Sequence, residues 1–201
     1  MSFPSYRLLH PSDYRAMPWK NGGGTTLELI IEPEGASLDG GFLWRLSMAD
    51  VGVSGPFSRF EGCDRTLLLL EGRGMELGFD QRPAVRLDGL LEPVAFSGDW
   101  RTDGTLLDGP CRDFNVITRR AGCRHHLEVL RLGPPPVAIP HAWVRFLFCV
   151  SGKARVDSFE LSPGDLLRAE GAGKLEARAA DPAGAVVTSV GIDPADAPAA
   201  S

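Results

Sequence analysis

The chain has 201 residues, 43 % of them hydrophobic, and its 21 Lys or Arg against 26 Asp or Glu give a formal net charge of −5. That acidic balance, with the basic residues scattered, excludes a dedicated nucleic-acid or anionic-membrane surface, which needs a concentrated basic patch, and no stretch approaches the ~20 apolar residues of a membrane-spanning helix. Residues 1–18 are polar where a secretion signal needs an apolar centre, and Cys63, Cys111, Cys123 and Cys149 form no CxxC pair, so a cytoplasmic protein with free thiols is expected.

Arg7-Leu8-Leu9 opens the first short strand, and Ser12-Asp13-Tyr14 reads as a turn or a single helical turn. Gly22, Gly23 and Gly24 mark a place where the backbone takes positive φ or passes close to something. Residues 25–31 resume as a strand with Thr26, Glu28 and Ile30 on one face. In the next strand, residues 42–49, period two puts Trp44, Leu46 and Met48 on one face and Arg45, Ser47 and Ala49 on the other. An Arg and a Ser that share a face either line a cavity or meet water.

A polar, Gly-flanked turn over residues 54–65 feeds the apolar run Thr66-Leu67-Leu68-Leu69-Leu70 and then Glu71-Gly72-Arg73-Gly74, the strand, reversal and return strand from which β-barrels are built. Short strands follow at residues 75–79, 84–87 and 91–97. The polar stretch over residues 108–120 reads as the junction between two halves. Residues 123–132 form a long strand, Gly133-Pro134-Pro135-Pro136 a stiff turn, and residues 145–156, 161–167 and 185–192 supply the strands of the second half. Residues 145–152 repeat the pattern of residues 65–72, an Arg, an apolar run, a small or acidic residue and Gly. Two copies of one barrel element imply two barrels, so an all-β antiparallel fold with little helix is expected.

The histidines are His10, His125, His126 and His141. On a strand the adjacent pair points to opposite faces, and although His126 and Glu128 share one, the set required for a metal centre is not assembled; no metal and no cofactor are expected. No Gly-x-Ser-x-Gly elbow or Cys/His pairing announces a nucleophile. Anion binding is better supplied: Arg45 and Arg65 offer charge-assisted contacts to a carboxylate, Asn21, Thr26, Ser47 and Asn115 offer neutral ones, and the glycine turn offers backbone N–H groups. Trp19, Trp44, Phe57 and Phe60 would wall such a pocket or belong to the core. The alternative is structural, with Arg65 paired to Glu61 or Asp64 at a barrel rim and Asp113 and Asn115 tying down the junction.

Leu161-Ser162-Pro163-Gly164-Asp165, following a strand, Gly and a return strand, looks like the second half of a cupin barrel. The motifs Trp19-Lys20-Asn21-Gly22-Gly23-Gly24-Thr25-Thr26-Leu27-Glu28, Trp44-Arg45-Leu46-Ser47-Met48-Ala49, Gly55-Pro56-Phe57-Ser58, Asp64-Arg65, Asp108-Gly109-Pro110 and Asp113-Phe114-Asn115-Val116 together resemble the HutD/Ves family of cupin-like proteins. The resemblance implies a bicupin of two antiparallel β-barrel or jelly-roll halves: residues 1–110 as a barrel with the ligand site, residues 111–192 as a second barrel, and residues 193–201 as a disordered tail. It also implies an association with histidine-utilisation operons. The expected ligand residues are Asn21, Thr26, Glu28, Trp44, Arg45, Ser47, Phe57, Ser58, Arg65 and Asn115. The expected function is metal-free binding of a small carboxylate-bearing metabolite, with urocanate and formylglutamate as candidates, in a regulatory or accessory role in amino-acid utilisation. A cupin-type isomerase or hydrolase is one alternative, and a homodimeric interaction scaffold is another.

Overall fold

In the computed structural model, which describes residues 4–39 and 41–197, the alternating runs form antiparallel strands. In chain order they are β1 (Ser5–Leu9), β2 (Arg15–Pro18), β3 (Gly24–Glu32), β4 (Trp44–Val51), β5 (Gly55–Pro56), β6 (Cys63–Glu71), β7 (Met75–Phe79), β8 (Arg82–Leu87), β9 (Val94–Ser97) and β10 (Thr102–Leu106). Then come β11 (Cys111–Arg119), β12 (Cys123–Leu132), β13 (Val137–Ile139), β14 (Val144–Gly152), β15 (Ala154–Val156), β16 (Phe159–Leu161), β17 (Leu166–Glu170), β18 (Leu175–Ala179) and β19 (Ala185–Pro194). The one helical element among the described residues is a 3-10 turn, Pro11–Asp13, and no helix there is long and apolar enough to cross a membrane.

Tyr14–Cys123 forms one compact unit, and Met1–Asp13 with Arg124–Ser201 forms another. The first unit holds a sheet in the order β2-β3-β4-β11-β6-β9 and a smaller one, β5-β10-β7-β8. The second holds β1-β17-β14-β19-β12 and β13-β18-β15-β16. Moving each strand from β4 to β11 eight places along the chain turns β4-β11-β6-β9 into β12-β19-β14-β17, and β5-β10-β7-β8 into β13-β18-β15-β16. The chain is therefore two copies of one eight-strand plan, as the repeat at residues 65–72 and 145–152 predicts. Each unit has its own core, to which both of its sheets contribute: Leu67, Leu69, Met75 and Leu77 in the first, Leu147, Val187, Val156 and Leu161 in the second.

The copies align residue by residue. Arg65 of β6 lies opposite Ile117, the seventh residue of β11, and Arg145 of β14 lies opposite Gly191, the seventh residue of β19. By that register Asp113 corresponds to Val187, and Asn115 to Ser189.

The structure moves the predicted junction. Residues 108–120 are not a connector, because β11 is a central strand paired along its length with both β4 and β6. A boundary at residue 110 would cut it from its sheet, and the units instead divide at Cys123 and Arg124. The first strand also crosses over: β1 pairs with β17. Of the tail expected at residues 193–201, Asp193 and Pro194 belong to β19, and residues 198–201 lie outside the described residues. All four cysteines are buried and free.

Candidate functional site

In the first unit, strand register sets polar side chains in rows across β3, β4, β11 and β6. Glu28 lies opposite Ser47, and Ser47 opposite Asn115; Thr26 lies opposite Ala49, and Ala49 opposite Asp113. Arg45 and Arg65 flank Ile117 from the two sides of β11. These rows form part of the wall of a cavity of about 480 Å³, a volume suited to a small metabolite. The β4 face that carries Arg45, Ser47 and Ala49 is the one that lines it.

The apolar walls are held from outside. The Trp19 indole N–H donates to Thr26 Oγ1 at 2.8 Å, which fixes the ring on the chain entering β3. Phe57 lies against Gly104 of β10, where a Cβ would collide with the ring, so the missing side chain there is what seats the aromatic wall.

Arg45 is already partnered. Its Nε donates to Glu28 Oε2 at 2.8 Å, Nη2 approaches Met17 Sδ at 3.7 Å, and both charged side chains are buried. Burial lowers the Arg45 pKa despite the Glu28 hydrogen bond and charge. A desolvated pair of this kind holds its members in place rather than adding net stability.

Arg65 has no such carboxylate. It is 3 % exposed, its Nη1 donates to the Ser58 carbonyl at 3.1 Å, and its guanidinium carbon lies 4.9, 5.4 and 5.6 Å from the ring centroids of Phe96, Phe60 and Phe57. The acids expected to pair with it are engaged elsewhere, Asp64 with Arg120 at 2.6 Å and Glu61 with Arg59 at 3.5 Å. Burial pushes Arg65 down to about 10, and the charge of Asp113 opposes the fall.

Asp113, 1 % exposed, is the carboxyl group of the cavity lining. Burial pushes it up to about 7, and the Arg65 charge and a hydrogen bond with the Ala49 backbone pull it back only in part. Three polar atoms of the lining residues are buried without a hydrogen-bond partner: Arg65 Nε, Asp113 Oδ2 and Asn115 Oδ1.

All of the residues expected from the sequence to bind ligand line this cavity except Glu28 and Trp44. Glu28 stands behind Arg45 as its counter-ion. Trp44 is fully buried on the opposite face of β4, as alternation requires. The glycine turn faces a separate depression beside Asp50 and Glu71, and its amides serve the loop itself: Gly22 N–H donates to the Trp19 carbonyl and Gly23 N–H to Asn21 Oδ1. The sequence reading gave Asp113 a structural role at the junction and left it out of the ligand set, and the signal for its place in the lining was the two-residue step to Asn115 on a strand. Among the described residues no three His, Cys, Asp or Glu side chains gather to hold a metal ion, and the cavity lining contains no histidine.

An uncharacterized 21.2 kDa protein in the hutC 3′ region of Pseudomonas putida is 48 % identical to this chain over 111 residues, covering 55 % of this chain and 57 % of that protein. Protein Ves of Escherichia fergusonii is 36 % identical over 121 residues, covering 58 % and 61 %. The chain thus spans less than two thirds of the length of either curated relative. Among solved structures, HutD from Pseudomonas fluorescens SBW25 superposes with a TM-score of 0.81 at 30 % identity, covering 94 % of this chain and 99 % of that one. At 11 % identity the bacterial pirin YhhW of Escherichia coli, solved with nickel(II), shares the two-part cupin-like fold alone, with a TM-score of 0.71 over 94 % of this chain and 99 % of that one. The HutD family model matches residues 11–187, through nearly all of both eight-strand copies, and the chain belongs to the HutD family.

Proposed function

We propose that the cavity of the Tyr14–Cys123 unit binds a small carboxylate-bearing metabolite, and that the protein serves a regulatory or accessory role in histidine utilisation. The observation that carries this reading is Arg65, a desolvated guanidinium in the cavity lining with no carboxylate hydrogen-bonded to it and with Nε unpartnered. A ligand carboxylate supplies the missing charge and accepts a charge-assisted hydrogen bond, the strongest recognition contact this lining offers. The hutC-region relative in Pseudomonas putida and the HutD relative in Pseudomonas fluorescens support the metabolic setting.

Calorimetric titration with urocanate, formylglutamate and histidine tests it. Binding of at least one is expected, weakened on the order of 30-fold or more by Arg65→Met, since losing one partner of a buried charged contact costs ~2 kcal/mol or more. Absence of heat from all three sinks the proposal.

A second reading has an observation of its own. Asp113, held near neutrality beside an Arg, is poised as a general acid–base group for an isomerase or hydrolase. Conversion of any of the three compounds, followed by mass spectrometry and abolished in Asp113→Asn, would favour it.

A further inference from the structure

A carboxylate on Arg65 leaves the cavity's two unpartnered acceptors, Asp113 Oδ2 and Asn115 Oδ1, unanswered. The two residues are next-but-one neighbours on β11, so their side chains share the face that lines the cavity. Buried acceptors without donors are rare because each forfeits its hydration. Here they stand beside a buried donor in the same condition, Arg65 Nε.

Arg65 and Asp113 do not answer each other. Their interaction acts through space, while their hydrogen bonds run to the Ser58 carbonyl and the Ala49 backbone. The cavity therefore presents a buried cationic donor, Arg65, and an acidic acceptor, Asp113, each open toward a third party. A simple carboxylate satisfies the first and is repelled by the second whenever Asp113 is ionised.

The second eight-strand copy shows what this plan looks like without the acid. There Arg145 donates to Ser189 Oγ at 3.2 Å and to the Pro140 carbonyl at 2.8 Å, its Nε is buried without a partner as that of Arg65 is, and the position of Asp113 is taken by Val187, part of an apolar core cluster. The plan folds with an apolar residue at this place, so the structural scheme does not demand Asp113.

We infer that the ligand carries an N–H donor as well as a carboxylate, with the carboxylate on Arg65 and the N–H on Asp113 and Asn115, so that Asp113 is the specificity-determining residue of the cavity. The chemical class is an N-acylamino acid, an amino acid or an azole-bearing acid. Plain carboxylic acids of the same shape are discriminated against. This inference rests on the carboxylate reading above.

Matched probes that differ at the N–H test it: urocanate against 3-(1,3-oxazol-4-yl)acrylate, and N-formylglutamate against 2-formyloxyglutarate. In at least one pair the N–H member is expected to bind the wild-type protein about 10-fold or more tighter, as a site built to hydrogen-bond an N–H rejects the analogue without it. Asp113→Val, copying the second unit, is expected to bring that pair within about 3-fold. Arg65→Met should weaken both members. Equal affinity within both pairs overturns the inference and leaves carboxylate binding standing, and no binding of any of the four or of histidine overturns both. The wild-type comparison decides the matter even where Asp113→Val fails to fold.

Discussion

Asp113 on β11 and Val187 on β19 hold the same place in two copies of one strand plan, and although each copy has a buried arginine with no hydrogen-bonded acid, Arg65 in the first and Arg145 in the second, only the first sets a carboxyl group at that place. In the second copy Val187 belongs to an apolar core cluster, whereas in the first Asp113 borders the cavity.

Asp113 makes stability depend on pH in a direction opposite to a paired surface acid. Its folded-state pKa is raised from 3.8 to about 7, so the folded state holds the proton more tightly. The resulting contribution is complete below the unfolded value near 3.8 and is lost as pH rises through about 7. Denaturant unfolding from pH 4 to 8 should show Asp113→Asn without this decline, and more stable than wild type at pH 8 by roughly 1–3 kcal/mol. A variant less stable than wild type at pH 8 would contradict the burial account.

Replacing Arg65 by Met removes the opposing charge at nearly constant volume. Asp113 should then hold its proton to a pH above 7, because the Arg65 charge is the largest influence working against burial there. Carboxyl-carbon NMR titration of both proteins reads the midpoint directly. An unchanged or lower midpoint would mean that Arg65 does not act on Asp113.

The Glu28–Arg45 pair is expected to behave as a unit. Arg45→Met alone strands a buried carboxylate and should cost about 3–5 kcal/mol, whereas Arg45→Met with Glu28→Leu should recover most of it. A double-mutant cycle by chemical denaturation measures the coupling, and additive losses would place the pair in water rather than in the wall.

Gly104→Ala should disturb the cavity from behind. The new Cβ meets the Phe57 ring, so a loss of ~1–3 kcal/mol in stability is expected together with weaker ligand binding. Adding Phe57→Leu should restore stability without restoring affinity, and thermal melts beside calorimetry separate the two effects.

Much of this architecture is legible in the residues. Alternation alone places Arg45, Ser47 and Ala49 together and puts Trp44 on the other face, where it is buried. The same rule, applied to Asp113 and Asn115, would have shown β11 to be a strand. Polar residues on the inner face of β11 imitate a loop, because a strand that lines a cavity breaks the apolar-in pattern by which core strands are recognised. The two-residue β5 and the three-residue β13 carry too little pattern to be read at all. The orphaned atoms of Arg65 and Asp113 depend on distances across β6 and β11, which no local spacing encodes.

The pairing of β1 with β17 has a consequence for how the chain is made. Ser5 to Leu9 meet Glu170 to Leu166 residue for residue, so β1 is synthesised long before the strand it pairs with. Until then β1 has no partner, and an unpaired strand edge recruits other chains. The Tyr14–Cys123 unit, by contrast, has every strand of its sheets in hand before the second copy begins. The cavity of that unit can be finished while the rest of the protein is still being translated.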